Sequence, residues 1–349
     1  MTKSFCDNLS YLATKVHARR SRMQEGKRLD ALCHIHTLHE LTRAVGLDGD
    51  FPTAVDFQRR LAQDLIHELA GFTKHISETK ADVFFCLLRR FEIENVKMVL
   101  RGLINKIPQN ELRSHLISLP AGMTLDAQKL MNAGSFEDFA TLLPPQPPYR
   151  RLRDAIFLQR QPAIPFFLEM ALDSDYFQEL VSKTRQLPED DLADICPLML
   201  QEANLFQFML VIRGKFLYRL PPESLLPLRV TGVSDAWFKE LLAVPDMLTA
   251  AKSGVGTVLD ELPTGRSSGE NTVNPAVLET LAWNRYARLA NMAFRRGNIG
   301  LGAVIGYAGL RRVETANLIT LSEGIRMGVR NDELRQSLTA RTNPEAVHV

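Results

Sequence analysis

Residues 90–102 read RFEIENVKMVLRG, and residues 312–324 read RVETANLITLSEG. The two stretches hold an Arg, a Glu, an Asn and a Gly at the same offsets, 222 residues apart. The shift pairs Leu88 with Leu310, Arg89 with Arg311, Arg90 with Arg312, Glu92 with Glu314, Asn95 with Asn317 and Gly102 with Gly324. Beyond the glycine, Glu111-Leu112-Arg113 falls on Glu333-Leu334-Arg335, and Leu116 on Leu338. Ten identities in 29 ungapped positions are too many for two unrelated helices, so the chain carries an internal repeat. Halfway between lies QFMLVIRGKFLYRLPPE, residues 207–223. There Arg213-Gly214 matches Arg101-Gly102, and Glu223 follows its glycine at the same distance as Glu111. The Glu and the Asn are missing from this copy. The pattern implies three units of about 110 residues, over 1–119, 120–230 and 231–349, the middle one degenerate.

Each repeated stretch reads as a helix. Phe84, Leu87, Leu88 and Phe91 form an apolar stripe that continues onto Asn95 and Val99. Leu310 and Val313 lead likewise to Asn317 and Leu321. The asparagines are therefore expected on buried seams. A buried amide must be hydrogen-bonded or it costs about 1–3 kcal/mol. Its simplest role is to fix helix register, with contact to a ligand or partner as the alternative. Gly102 and Gly324 fit the left-handed position that ends a helix. Glu111 and Glu333 then fall in the first turn of the next helix, where the macrodipole favours an anion.

The rest of the chain is also helical in pattern. Residues 276–296 place Leu278, Leu281, Ala282, Leu289, Met292 and Ala293 on one face, after an Asn274–Pro275 start signal. Residues 53–69 carry Val55, Leu61, Leu65, Ile66 and Leu69 in a similar stripe. Glu189-Asp190-Asp191 suits a helix start. No stretch alternates with period two, so the fold is expected to be all-α. The Pro-rich 142–150 and the segment 254–275 read as breaks, the latter the longest loop and a candidate contact region.

Composition narrows the function. The chain has 349 residues, with 42 basic against 40 acidic, a balance unlike that of a nucleic-acid binder. Cys6, Cys33, Cys86 and Cys196 are scattered without CxxC spacing, so they read as reduced thiols of a cytosolic protein. The basic, mildly amphipathic N-terminus has no apolar signal core, although a transit peptide is conceivable. The longest apolar run, LGAVIGYAGL at 301–310, is about half of the ~20 residues a bilayer span needs. No membrane crossing is expected.

Three stretches invite sharper readings. RRGNIGLGAVIGYAG at 295–309 has glycines, but their spacing departs from a dinucleotide loop and a helix precedes them. A glycine turn followed by close helix packing is the expectation. In CHIHTLHE at 33–40, Cys33, His36 and Glu40 would share a helical face, which is a weak metal candidate without further ligands. The basic run 15–28 (Lys15, Arg19, Arg20, Arg22, Lys27, Arg28) could meet nucleic acid or anionic lipid. It lacks interleaved aromatics, so a solvated or partner-facing helix is expected. No catalytic constellation, cofactor motif or metal site emerges, and no small-molecule substrate is implied.

RFEIENVKMVLRG followed by IPQNEL resembles the signature of the C/d-subunit family of V-type and A-type rotary ATPases. VETANLITLSEGIRMGVRNDELRQSL resembles that family's last repeat, and the opening Tyr11-x-x-Ala-x-Val16 helix is similar to its start. The resemblance covers most of the chain, strongest at 82–117 and 300–338 and thin at 120–200. It implies a pseudo-threefold helical funnel of three domains, peripheral on the cytoplasmic side of a membrane. The funnel would sit on the proteolipid ring, receive the foot of the central shaft and transmit torque for ion transport without catalysis. The middle copy departs from the pattern, with Pro197, Pro221 and Pro222, and Ala316 replaces the second Glu of the first copy. No functional residue is therefore carried over from the family. Two other readings remain: a helical-repeat scaffold for soluble proteins, recognisable by an open superhelix, and an enzyme with a site of dispersed residues, recognisable by a deep pocket of perturbed ionisable groups.

Overall fold

A computed structural model describes residues 8–120, 123, 125–158, 165–263 and 273–339. Among them there is no β-strand, only an isolated bridge between Val255 and Leu259. The helices are α1 (Leu9–Arg20), α2 (Lys27–Leu32), α3 (Leu38–Ala44), α4 (Ala54–Phe72), α5 (Glu78–Asn105), α6 (Gln109–His115), α7 (Ala127–Met131), α8 (Phe136–Leu142) and α9 (Arg150–Leu158). They continue as α10 (Pro165–Thr184), α11 (Glu189–Val211), α12 (Pro222–Leu225), α13 (Asp235–Ala243), α14 (Met247–Gly254), α15 (Pro275–Arg296), α16 (Leu301–Met327) and α17 (Asn331–Ser337). One succession recurs: a long helix, a second long helix, then a short one. It appears as α4-α5-α6, α10-α11-α12 and α15-α16-α17.

The start signals act as the sequence predicts. Asn274 Oδ1 accepts from the Ala276 amide at 2.9 Å, and α15 begins at Pro275. Three acidic residues open α11, where they complement the exposed amides of the first turn. The expected face of α15 is turned slightly. Leu278, Ala282 and Ala293 are buried, but Tyr286, Ala287 and Ala290 join them in place of Leu281, Leu289 and Met292. On α4, Val55 points outward and Phe57 is the buried residue.

The chain forms two compact units. One comprises residues 1–77, 189–198 and 279–349. In it α16 packs on α4 and α1, and Leu29, Leu41, Phe57, Leu318 and Leu321 form part of one core cluster. Burying each such side chain contributes about 1.5–3 kcal/mol. The glycines of α16 permit close approach. A Cβ on Gly306 would collide with the Phe294 amide nitrogen, and one on Gly309 would meet Ala290 Cβ at 3.0 Å. Stretch 295–309 is thus a turn and a helix–helix contact, as its non-dinucleotide spacing predicts.

The other unit comprises residues 78–188 and 199–278. Its principal contact is between α5 and α10, which run antiparallel. Four ion pairs join them: Asp82–Lys183 at 2.7 Å, Arg89–Glu179 at 2.5 Å, Lys97–Asp173 at 2.6 Å and Arg101–Glu169 at 2.6 Å. Lys97 is nearly buried and also meets Glu94 at 3.0 Å. Burial alone would lower its ammonium pKa, yet Asp173 and Glu94 hold it above the ordinary value.

Among the described residues one helix is long and apolar enough to cross a bilayer, α11 with its π-helical extension to Leu217. Within its apolar window 83% is buried inside the protein. The loop expected at 254–275 lies partly outside the described residues, and so does Cys6. Cys33 and Cys86 are buried thiols outside any disulfide and Cys196 is partly buried.

Candidate functional site

The repeated motif builds the same local device at three places. In the first, Asn95 is 5% exposed on α5. Its Nδ2 donates to the Ile117 carbonyl at 2.8 Å, and the Ile117 amide donates to Asn95 Oδ1 at 2.8 Å. The side-chain amide thus pairs with one residue of backbone as a neighbouring strand would, and it holds the chain that emerges from α6. In the third copy Asn317 does the same to Thr339, with both bonds at 2.9 Å.

The middle copy corrects the sequence expectation. Gln207 stands seven residues before Gly214, the offset that separates Asn95 from Gly102 and Asn317 from Gly324. Gln207 is fully buried. Its Nε2 donates to the Val233 carbonyl at 3.0 Å, and its Oε1 accepts from the Val230 amide at 3.0 Å. The longer side chain bridges two backbone positions where asparagine bridges one. The amide is therefore retained in chemistry, and the constant offset to the glycine was the signal for it.

The glycines also differ from expectation. Gly102 and Gly324 lie inside their helices. The left-handed residues are Lys106 (φ 54°), Arg219 (φ 55°) and Gly328 (φ 66°). In each copy the glycine carbonyl accepts the amide just past that residue: Ile107 to Gly102 at 2.9 Å, Leu220 to Gly214 at 2.8 Å and Val329 to Gly324 at 2.9 Å. The glycine is thus the inner acceptor of a Schellman-type helix end. The reason for glycine there is a leucine from the following short helix. Leu112, Leu225 and Leu334 lie against Gly102, Gly214 and Gly324, and an added Cβ would collide with each; on Gly214 it would meet Leu225 Cδ2 at 2.8 Å. Glu111, Glu223 and Glu333 occupy the first turns of those helices, as expected.

The acidic and basic members vary by copy. Glu92 is 7% exposed and accepts from the Leu125 amide at 2.5 Å. Burial raises its pKa, opposed by that amide and by the Tyr149 hydroxyl. Glu314 instead accepts from the Gln24 amide at 2.6 Å and pairs with Arg311. Arg90 meets Glu202 at 3.4 Å, whereas Arg312 lies over the Trp283 and Tyr286 rings. Arg213 keeps its place before Gly214, inside the π-helical stretch.

Other candidates resolve differently. Cys33, His36 and Glu40 do not share a helical face, because α2 ends at Leu32 and α3 starts at Leu38. Thr37 caps α3 by accepting from the Glu40 amide at 3.2 Å. Cys33 is buried, while His36 and Glu40 are exposed. Among the described residues no group of three His, Cys, Asp or Glu side chains is placed to hold a metal. The basic run is part engaged and part solvated: Arg19 pairs with Glu68 at 2.6 Å, Arg20 with Glu25 at 3.5 Å, and Arg28 donates to the Ser21 carbonyl at 2.6 Å, while Arg22, Lys27 and Arg28 are exposed.

Residues 12–337 match the model of the family described as "ATP synthase (C/AC39) subunit". The chain belongs to that family. As a member it is one component of a membrane-associated rotary ATP synthase complex and has partner subunits there. Among curated proteins it is similar to the C subunit of the A-type ATP synthase of Methanosphaera stadtmanae, 22% identical over 94% of this chain and 87% of the relative. It is also similar to the corresponding C subunit of Methanobrevibacter smithii, 21% identical over 93% and 86% respectively. All three copies of the glycine and amide device fall inside the family match, except Thr339 at its last partner position.

Proposed function

We propose that this C/AC39-family member is a non-catalytic central-stalk part of a V/A-type rotary ATPase. It would form a funnel of three helical repeats on the cytoplasmic side, seated on the proteolipid ring, and receive the foot of the shaft. Its work would be mechanical: passing torque between ATP chemistry in other subunits and ion movement at the ring. The family match over residues 12–337 carries this reading. The three helix ends support it. Each is tied by a buried amide and a leucine seated on glycine. A torque-bearing part needs this kind of local stiffness, since packed interiors transmit strain.

The test is to tag the chain, solubilise native membranes gently and identify the co-purifying proteins by mass spectrometry. Catalytic ATPase subunits, shaft subunits and a proteolipid should come down together. Recovery of soluble proteins alone would sink the stalk reading and favour a scaffold.

A further inference from the structure

We propose that a cleft in the unit formed by residues 1–77, 189–198 and 279–349 binds an anion, a phosphate or carboxylate carried on an apolar stem. The cleft measures about 510 Å³, in the size range of small-ligand sites. Part of its lining is apolar, with Met23, Val45, Leu47, Leu61 and Leu318. The rest is mostly polar or charged, and its acidic groups are already engaged. Glu68 accepts from Arg19 at 2.6 Å, from the Tyr307 hydroxyl at 2.7 Å and from Arg311 at 3.1 Å. Glu314 takes Arg311 and the Gln24 amide. Asp64 pairs with Arg60 at 2.9 Å.

Of the three guanidiniums that line the cleft, Arg19 and Arg311 are held by Glu68 and Glu314, while Asp64 is taken by Arg60 from beyond the lining, so Arg22 is the one left over. It lines the cleft without a side-chain partner among the described residues, and so does the carboxamide of Gln24. A cationic ligand would find every carboxylate bound. An anion would find a free guanidinium, whose planar fork suits a phosphate or carboxylate. The Gln24 carboxamide adds a donor, and the apolar lining residues accept a stem. Two sources share this chemistry: a free phosphorylated or carboxylated small molecule, and an acidic side chain of a neighbouring protein in the complex.

Phenyl phosphate is a suitable probe, with phenol as its uncharged counterpart. Saturation-transfer NMR on the purified full chain should show saturable binding of phenyl phosphate and none of phenol. Arg22→Gln should weaken that binding about tenfold or more with an unchanged melting temperature. Lys239→Gln, at an exposed cation elsewhere, should leave it intact. Repeating the measurement on the assembled complex separates the sources. Binding that persists points to a free ligand, and binding seen only in the isolated chain points to a side chain from a neighbour. If the isolated chain does not bind phenyl phosphate, or Arg22→Gln binds as tightly as the parent, the proposal is wrong.

Discussion

At the residue scale, the three glycines and three amides make separable claims. Gly102→Ala inserts a Cβ where Leu112 sits. The resulting overpacking should cost about 1–3 kcal/mol, although alanine is the better helix former. Leu112→Ala removes the obstacle, so the double variant should lose less stability than the sum of the two singles, a coupling that urea denaturation can measure. Additive losses would mean that glycine serves the backbone rather than the leucine. Asn95→Ala strands the amide and carbonyl of Ile117, and should cost about 1–3 kcal/mol in the same assay. Gln207→Asn should also destabilise, because a side chain one methylene shorter cannot keep both Val230 and Val233.

At the scale of elements, helix existence was readable and helix ends less so. Stripes of period 3.6 and the Asn274–Pro275 signal placed α15, and the seam through Phe84, Leu88 and Asn95 placed α5. The glycines misled because their partner leucines lie in the next helix, which no local rule for a helix end contains. The break at 33–37 was written locally as Thr37-x-x-Glu40, a capping box, but the spacing of Cys33, His36 and Glu40 read as continuous. The ladder between α5 and α10 was not readable, since it joins residues about 70–100 positions apart. Lys97→Met would leave Asp173 buried without its cation and should cost about 3–5 kcal/mol. Adding Asp173→Leu should recover most of that loss. A cap gives a prediction in pH. Asp246 accepts from the Thr249 amide at 2.7 Å and its hydroxyl at 3.0 Å, and these bonds lower its carboxyl pKa. A lowered folded-state pKa stabilises above the unfolded value of about 4 and is lost as pH falls through the folded one. The stability gap between the parent and Asp246→Ala should therefore be full at pH 5–7 and close below about pH 4; a gap independent of pH would show that the charge contributes nothing.

At the scale of the whole molecule, the helix Glu189–Leu217 decides how the chain meets a membrane. Its length and apolarity would allow a span, and reading individual apolar runs missed it, because Gln201, Glu202, Asn204 and Gln207 interrupt the pattern. Those residues are buried. Gln201 Nε2 donates to the Val258 carbonyl at 3.0 Å, Glu202 receives Arg90, and Gln207 holds Val230 and Val233. Moving the helix into lipid would break each of these bonds, with hydrocarbon offering no replacement. Its apolar character therefore serves a protein interior. On the proposed peripheral reading, membrane attachment runs through other subunits, and such attachment yields to conditions that dissociate proteins without dissolving the bilayer. Washing native membranes with carbonate at about pH 11, where lysines near their ordinary pKa lose charge, should release the chain into the supernatant while integral subunits sediment. If the chain stays with the pellet until detergent is added, Glu189–Leu217 leaves the protein interior in the assembled complex, and the packing around that helix belongs to the free chain alone.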